Sequence, residues 1–267
     1  MNAQPPLSLP EDMLTLDQPK RPEKPGALHG QVWLTIQTHQ AQQLIHGRDG
    51  TPDKPPIIGL VGFADRLRLI WQAARGDDPY ADWWLIQVHE AIAALATALA
   101  QQQSDLFQQL EQMTALAVSV AASQRPCRIP LRFANPYAYR AAQLLGQYDK
   151  LVCTAATARH VGLLDGAAFR AIQKTGAHQL RALFMLPHRY RFLKIDRASV
   201  RAQTGSSHEA RQRMGEVPED ILRGARLPLL APRREKSPLP VAEPIPQSAE
   251  APVSPLNLSD EENHDGQ

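Results

Sequence analysis

Residues that build catalytic and metal centres are scarce in this 267-residue sequence. Two cysteines, Cys127 and Cys153, stand far apart without CxxC spacing. That excludes a disulfide scaffold and a cysteine-ligated zinc, and it fits a reducing cytoplasm. Nine histidines occur, yet His89-Glu90 and His208-Glu209 both lack the second histidine of a zinc-binding HExxH helix. Gly59 and Gly62 in IIGLVGF lack the Lys-Ser/Thr ending and the third glycine of a phosphate cradle, so they read as a close helix contact or a loop-to-helix transition. No G-x-S-x-G elbow is present. Cys127 has cationic neighbours in Arg125 and Arg128, but a thiol on a strand is expected to be buried and inert. These absences predict a non-enzyme with no cofactor, no metal and no small-molecule substrate.

Long apolar runs are missing too. The longest, near Leu85–Ala100, is interrupted by Gln87, His89 and Glu90 and falls short of the ~20 residues that span a bilayer. The N-terminus shows neither a basic n-region nor an apolar h-region. The expectation is a soluble cytoplasmic protein without a membrane partner.

Charge, in contrast, is unevenly distributed. The formal net charge of +2 conceals −5 over residues 1–119, +13 over 120–234 and −6 over 235–267. A basic middle between acidic arms points to nucleic acid or another polyanion. Within it, RPCRIPLRFANPYAYR (Arg125–Arg140) joins an arginine-bearing strand to an Asn-Pro turn and the aromatic start of a helix. Arg125, Arg128, Arg132 and Arg140 are candidate phosphate contacts, because guanidinium binds phosphate bidentately. Arg189, Arg191 and Lys194, interleaved with His188, Tyr190 and Phe192, form a second candidate group. Aromatic-basic alternation also describes an ordinary strand with one solvated face.

Hydrophobic periodicity supplies the architecture. Residues 31–38 alternate as a strand, with Val32, Leu34 and Ile36 on one face and Gln31, Trp33, Thr35 and Gln37 on the other. His39–Gly47 reads as a short helix, followed by a proline-rich loop. Helices are expected at 57–75, 79–112, 136–158 and 167–185, with smaller pieces at 196–203 and 206–214. Asp77-Asp78-Pro79 makes the turn that opens the second of these, and its carboxylates read as caps rather than proton-transfer groups. Asn135 is the expected cap of the third. Trp83 and Trp84 read as aromatics wedged where helices meet. Leu116–Ala121 and Cys127–Phe133 are expected as two connected strands, the second confined to an edge or bulged because Pro130 cannot donate to a ladder. Six prolines in residues 1–28 and six in 236–267 predict disordered arms at 1–28 and 233–267 around a single domain at 29–232. The fold class is therefore α+β: a mainly helical body with a few short antiparallel strands.

GQVWLTIQTHQAQQLIHGR, IIGLVGFADRLRLIWQAARGDDPYADWWL, RIPLRFANPYAYRAAQLLGQYDKLV and TARHVGLLDG resemble a family of integrating conjugative element proteins. That family is similar to the AcaB-like transcriptional regulators of conjugative plasmids. DDPYADWW and RF-x-x-PYAYR are the most distinctive strings. The resemblance implies a DNA-binding regulator of transfer genes with a ribbon-helix-helix-like element, in which strands from two copies pair in the major groove of duplex DNA, and hence a homodimer. Gln31, Thr35 and Gln37 are then possible base readers, since glutamine bonds adenine bidentately. The arginine-bearing strand 127–133 competes for the ribbon role. The alternative is a structural or scaffolding protein of the conjugation machinery whose basic surface holds acidic protein partners.

Overall fold

A computed structural model describes residues 30–234, apart from Lys54, Thr114 and Ala115. The arms expected at 1–28 and 233–267 lie outside the described residues, save Arg233 and Arg234. The body is mainly helical with a few short antiparallel strands. Strand β1 (Val32–Ile36) leads into α1 (His39–His46). Two-residue strands β2 (Gly47–Arg48) and β3 (Ile57–Ile58) pair antiparallel, and α2 (Leu60–Arg75) follows. The long helix α3 (Pro79–Glu111), strand β4 (Cys127–Leu131), α4 (Pro136–His160) and α5 (Gly166–Met185) complete the main body. A 3-10 turn (Leu186–Arg189) and short helices α6 (Arg197–Arg201), α7 (Gly205–Met214) and α8 (Glu219–Leu222) close the described chain.

The core forms where α2, α3, α4 and α5 converge. Phe63 of α2 meets Phe184 of α5 at 5.4 Å between ring centres, and Trp71 meets the buried Tyr137 of α4 edge-on at 6.2 Å. Helix α3 has the length and mean hydropathy (1.3) of a membrane-crossing segment. Within it, Leu85, Val88 and Leu99 are at most 1% exposed and join the main hydrophobic cluster. Trp84 is buried as expected, with Trp83 packed between it and Tyr80.

Two long-range contacts were not legible in the sequence. The first is the strand pairing. β1 pairs antiparallel with β4, not with a neighbour in sequence, in the unbroken register Val32↔Leu131, Leu34↔Ile129, Ile36↔Cys127. Leu34, Ile36 and Leu131 turn to the core, while Trp33 and Thr35 share the outer face with Arg128 and Pro130. Pro130 thus lies on an edge without a bulge, where its missing N–H is harmless. Residues 116–121, expected as a strand, run as irregular chain. No strand lies beside them among the described residues. Val118 and Val120 still turn partly inward, and the backbone borrows a side-chain acceptor: Ala121 N–H donates to Thr157 Oγ1 at 2.8 Å.

The second is the β2–β3 crossing. Gly47 (φ 76°) and Gly59 approach so closely that a Cβ on Gly47 would lie 1.9 Å from Ile57 O, and one on Gly59 2.4 Å from Gly47 N. Only glycines permit this contact, which ends α1 and starts α2 three residues later than the helix expected from 57.

Gly176 of α5 is the other glycine fixed by contact. A Cβ there would come within 2.6 Å of the Tyr148 ring, whose hydroxyl donates to Gln173 O at 2.9 Å. Because the buried ring is pinned, Gly176→Ala is expected to overpack the α4–α5 seam by about 1–3 kcal/mol. Thermal melting should register this as a fall of roughly 3–10 °C; an unchanged midpoint would show that the seam is slack.

Candidate nucleic-acid interface

The outer face of the β1–β4 ribbon is a compact cationic surface on a rigid base. Its base is Asp149 of α4, 2% exposed, which accepts hydrogen bonds from Gln37 N (2.6 Å), Thr38 N (2.9 Å) and Thr38 Oγ1 (2.6 Å). Thr38 in turn caps α1, its Oγ1 accepting from Ala41 N at 3.3 Å. One buried carboxylate therefore locks the β1–α1 junction onto α4. At the far end, Asn135 caps α4 by accepting from Ala138 N at 3.0 Å, with Pro136 at the first helical position. Phe133 N–H donates to Tyr139 Oη at 3.2 Å, and their rings meet edge-on at 5.3 Å. Tyr137 Oη accepts from Leu230 N at 3.2 Å. The PYAYR string is thus a joint that seats β4 and the C-terminal segment on α4.

On the outer face, Arg128 lies over the exposed Trp33 ring at 5.2 Å, a diagonal cross-strand cation–π pair. Thr35 sits opposite Arg128. Arg125, Arg132 and Gln31 are also exposed around the ribbon. Gln37 is half-buried, and its Oε1 accepts from Ser123 N at 3.0 Å, so only its amide NH2 stays available. Arg140 departs from this group. It is half-buried against α3, with Nη1 3.2 Å from His89 Nδ1, beside a hollow of about 230 Å³ lined by Ile92, Ala93 and Gln143. Arg189, Arg191 and Lys194 lie exposed on the segment after α5.

The basic excess of residues 120–234 divides into two populations. Arg197 and Arg234 face the start of α3: Arg197 Nη2 lies 2.6 Å from Asp82 Oδ2 and Arg234 Nη2 lies 2.7 Å from the same oxygen, and both arginines also pair with Asp77. Arg211, Arg213, Arg223 and Arg226 hold glutamates or Asp220. Among the described residues, Arg125, Arg128, Arg132, Arg140, Arg189, Arg191 and Lys194 have no ion-paired carboxylate, and neither do Lys150, Arg159, Arg170, Lys174, Arg181, Arg201 and Arg233. The internal clamp at Asp77, Asp78 and Asp82 carried no signal separable from helix capping in the sequence, because its partners lie more than 100 residues away. Asp78 does cap α3, accepting from Tyr80 N at 2.8 Å and Ala81 N at 3.3 Å, and it also accepts from Tyr190 Oη at 2.6 Å.

Among the described residues, no three His, Cys, Asp or Glu side chains group as a metal site. Burial pushes the Cys153 thiol up to about 11, which suppresses its thiolate. Cys127 is half-buried, with Gln42 Nε2 at 3.8 Å from its sulfur.

A family model described as transcriptional regulator AcaB matches residues 24–234. The chain belongs to the AcaB transcriptional regulator family. The crystal structure of selenomethionine-containing AcaB from uropathogenic E. coli has a similar fold, with a TM-score of 0.50 and 14% identity, covering 74% of this chain and 98% of that one. At that identity the likeness to the solved AcaB is one of fold alone. No curated protein sequence matches the chain. The strings DDPYADWW and RF-x-x-PYAYR coincide with the α3 clamp and the α4 joint.

The clamp has a pH signature. Burial raises the Asp78 carboxyl to about 6, against hydrogen bonds from Tyr190, Ala81 and Tyr80 that favour its charged form. A carboxyl raised above its unfolded value of 3.8 holds its proton more tightly in the native state. Its stabilising contribution is therefore full below about pH 4 and is lost as pH rises through 6. In urea unfolding from pH 4 to 7, the stability difference between wild type and Asp78→Asn is expected to shift against wild type across that window. A difference constant with pH would contradict a buried, proton-holding Asp78.

Proposed function

We propose that this chain is a DNA-binding transcriptional regulator of conjugative transfer genes of an integrating element, and that it docks the outer face of the β1–β4 ribbon on duplex DNA. The observation that carries the reading is the ribbon itself: an antiparallel pair with Arg128, Arg132 and Thr35 outward, free of carboxylates, on a base locked by Asp149. A two-stranded antiparallel ribbon fits the major groove. Ribbon-helix-helix proteins assemble theirs from two chains; here β1 already has β4 of the same chain along one edge, and two helices, α1 and α2, follow β1 in order. One copy therefore carries a complete ribbon, and a homodimer supplies a second for the other half-site.

Within this reading, Arg125, Arg128 and Arg132 anchor phosphates, because phosphate contacts set position and carry no sequence information. Gln31 and Thr35 read base edges, and Gln37 contributes only its NH2 group. Arg140, turned toward His89, acts by seating α4 against α3. Family membership as a transcriptional regulator speaks for a non-catalytic role.

Duplex binding should weaken log-linearly with rising salt, and the element's own promoter regions should bind more tightly than unrelated DNA. For Arg128→Ala/Arg132→Ala the expectation is a uniform loss across sequences and a salt slope shallower by about 2, one contact for each arginine removed. Fluorescence anisotropy with labelled duplexes at several salt concentrations checks this. An unchanged slope would detach the ribbon from DNA; no retention of DNA at ~50 mM salt, together with co-purification of a transfer protein, would favour the scaffolding role instead.

A further inference from the structure

The segment Leu186–Asp196 presents an aromatic side chain to solvent in a way that packing does not explain. Tyr190 is 1% exposed and Ile195 is 4% exposed, so both ends of the stretch are anchored in the core. Between them Phe192 is 54% exposed, flanked by exposed Arg191 and Lys194, with exposed Arg189 at the end of the preceding 3-10 turn. The backbone is held rather than loose. Tyr190 Oη donates to Asp78, Tyr190 O accepts from Arg66 Nη2 at 2.9 Å, and Arg191 N–H donates to Met214 Sδ at 3.2 Å. Lys194 adopts a left-handed conformation (φ 52°), unusual for a side chain with a Cβ, and this bend brings Ile195 back to the core.

Charge completes the picture. Among the described residues no carboxylate pairs with Arg189, Arg191 or Lys194. The nearby Asp196 is committed to capping α6, where it accepts from Ser199 N at 2.8 Å and Ser199 Oγ at 2.6 Å. A rigidly mounted aromatic between unpaired cations matches a ligand that alternates anions with flat apolar surfaces. Nucleic acid has that chemistry: phosphates for the cations and a base stack for the ring.

We propose that Leu186–Asp196 is a second DNA contact, separate from the ribbon, in which Phe192 wedges into a base step from the minor groove and bends the duplex. Arg189, Arg191 and Lys194 hold the phosphates on either side. The proposal rests on the DNA-binding function proposed above, and it adds a deformation of DNA that the ribbon does not supply.

The test is bending and affinity measured together, by energy transfer between dyes at the two ends of a promoter duplex. Wild type should bring the ends closer on binding. Phe192→Ala should abolish that change and weaken affinity about tenfold while leaving the salt slope unchanged, because the ring carries no charge. Phe192→Trp should restore the bend, and Arg191→Ala/Lys194→Ala should make the slope shallower by about 2. A Phe192→Ala protein that binds and bends DNA like wild type overturns the wedge while leaving the ribbon reading intact. Wild-type protein that binds no duplex at ~50 mM salt defeats the DNA-binding reading, and the wedge falls with it.

Discussion

The ribbon depends on a single buried carboxylate. Asp149 accepts three hydrogen bonds from two consecutive residues at the end of β1, and two of them are 2.6 Å long. A two-stranded ribbon has little intrinsic stability in water, since one face and both edges stay wet. Here the inner face is closed by Leu34, Ile36 and Leu131 against the helices, and the strand direction is fixed by Asp149. Bonds to a charged acceptor contribute about 1.5–3 kcal/mol each, and losing such a partner leaves buried donors unpaired. The orientation of Arg128 and Thr35 relative to the helical body is set by that contact.

A second constraint acts at the start of α3. Asp77, Asp78 and Asp82, at the start of α3, gather Arg197, Tyr190 and Arg234 from a segment that otherwise consists of short helices and turns. Removing one member of a buried ion pair typically costs about 3–5 kcal/mol, because the partner charge is left unpaired. The cluster thus converts weakly structured chain into a fixed flank, and that fixity is what keeps Arg191, Phe192 and Lys194 outside. Charge in this protein serves two purposes: Arg197 and Arg234 fasten the C-terminal segment, while Arg125, Arg128, Arg132, Arg189, Arg191 and Lys194 face solvent.

Much of the fold could be read locally. The alternation at 31–38, the Asp78 and Asn135 caps and the stripe of α2 all depend on residues within a few positions of each other, where periodicity and capping chemistry are decisive. Long-range pairing was not legible. Nothing in CRIPL names β1 as its partner, because antiparallel register between strands more than 90 residues apart is set by the core beneath them. Leu116–Ala121 has the alternation of a strand but joins no ladder, and Ala121 N–H finds a side-chain acceptor in Thr157 Oγ1 instead. The site was legible in part for the same reason. Exposed arginines on a strand were evident, but Trp33 as the support of Arg128 and the partial withdrawal of Gln37 and Arg140 into internal bonds required the fold.

The central claim is that DNA meets the outer face of β1–β4. Ultraviolet cross-linking of the protein to bromouracil-substituted promoter duplex, followed by peptide mapping, addresses it directly. The account predicts an adduct on Trp33, the aromatic ring that stands on that face beneath Arg128. Adducts confined to other parts of the chain, with the peptides of β1 and β4 unmodified, would contradict it.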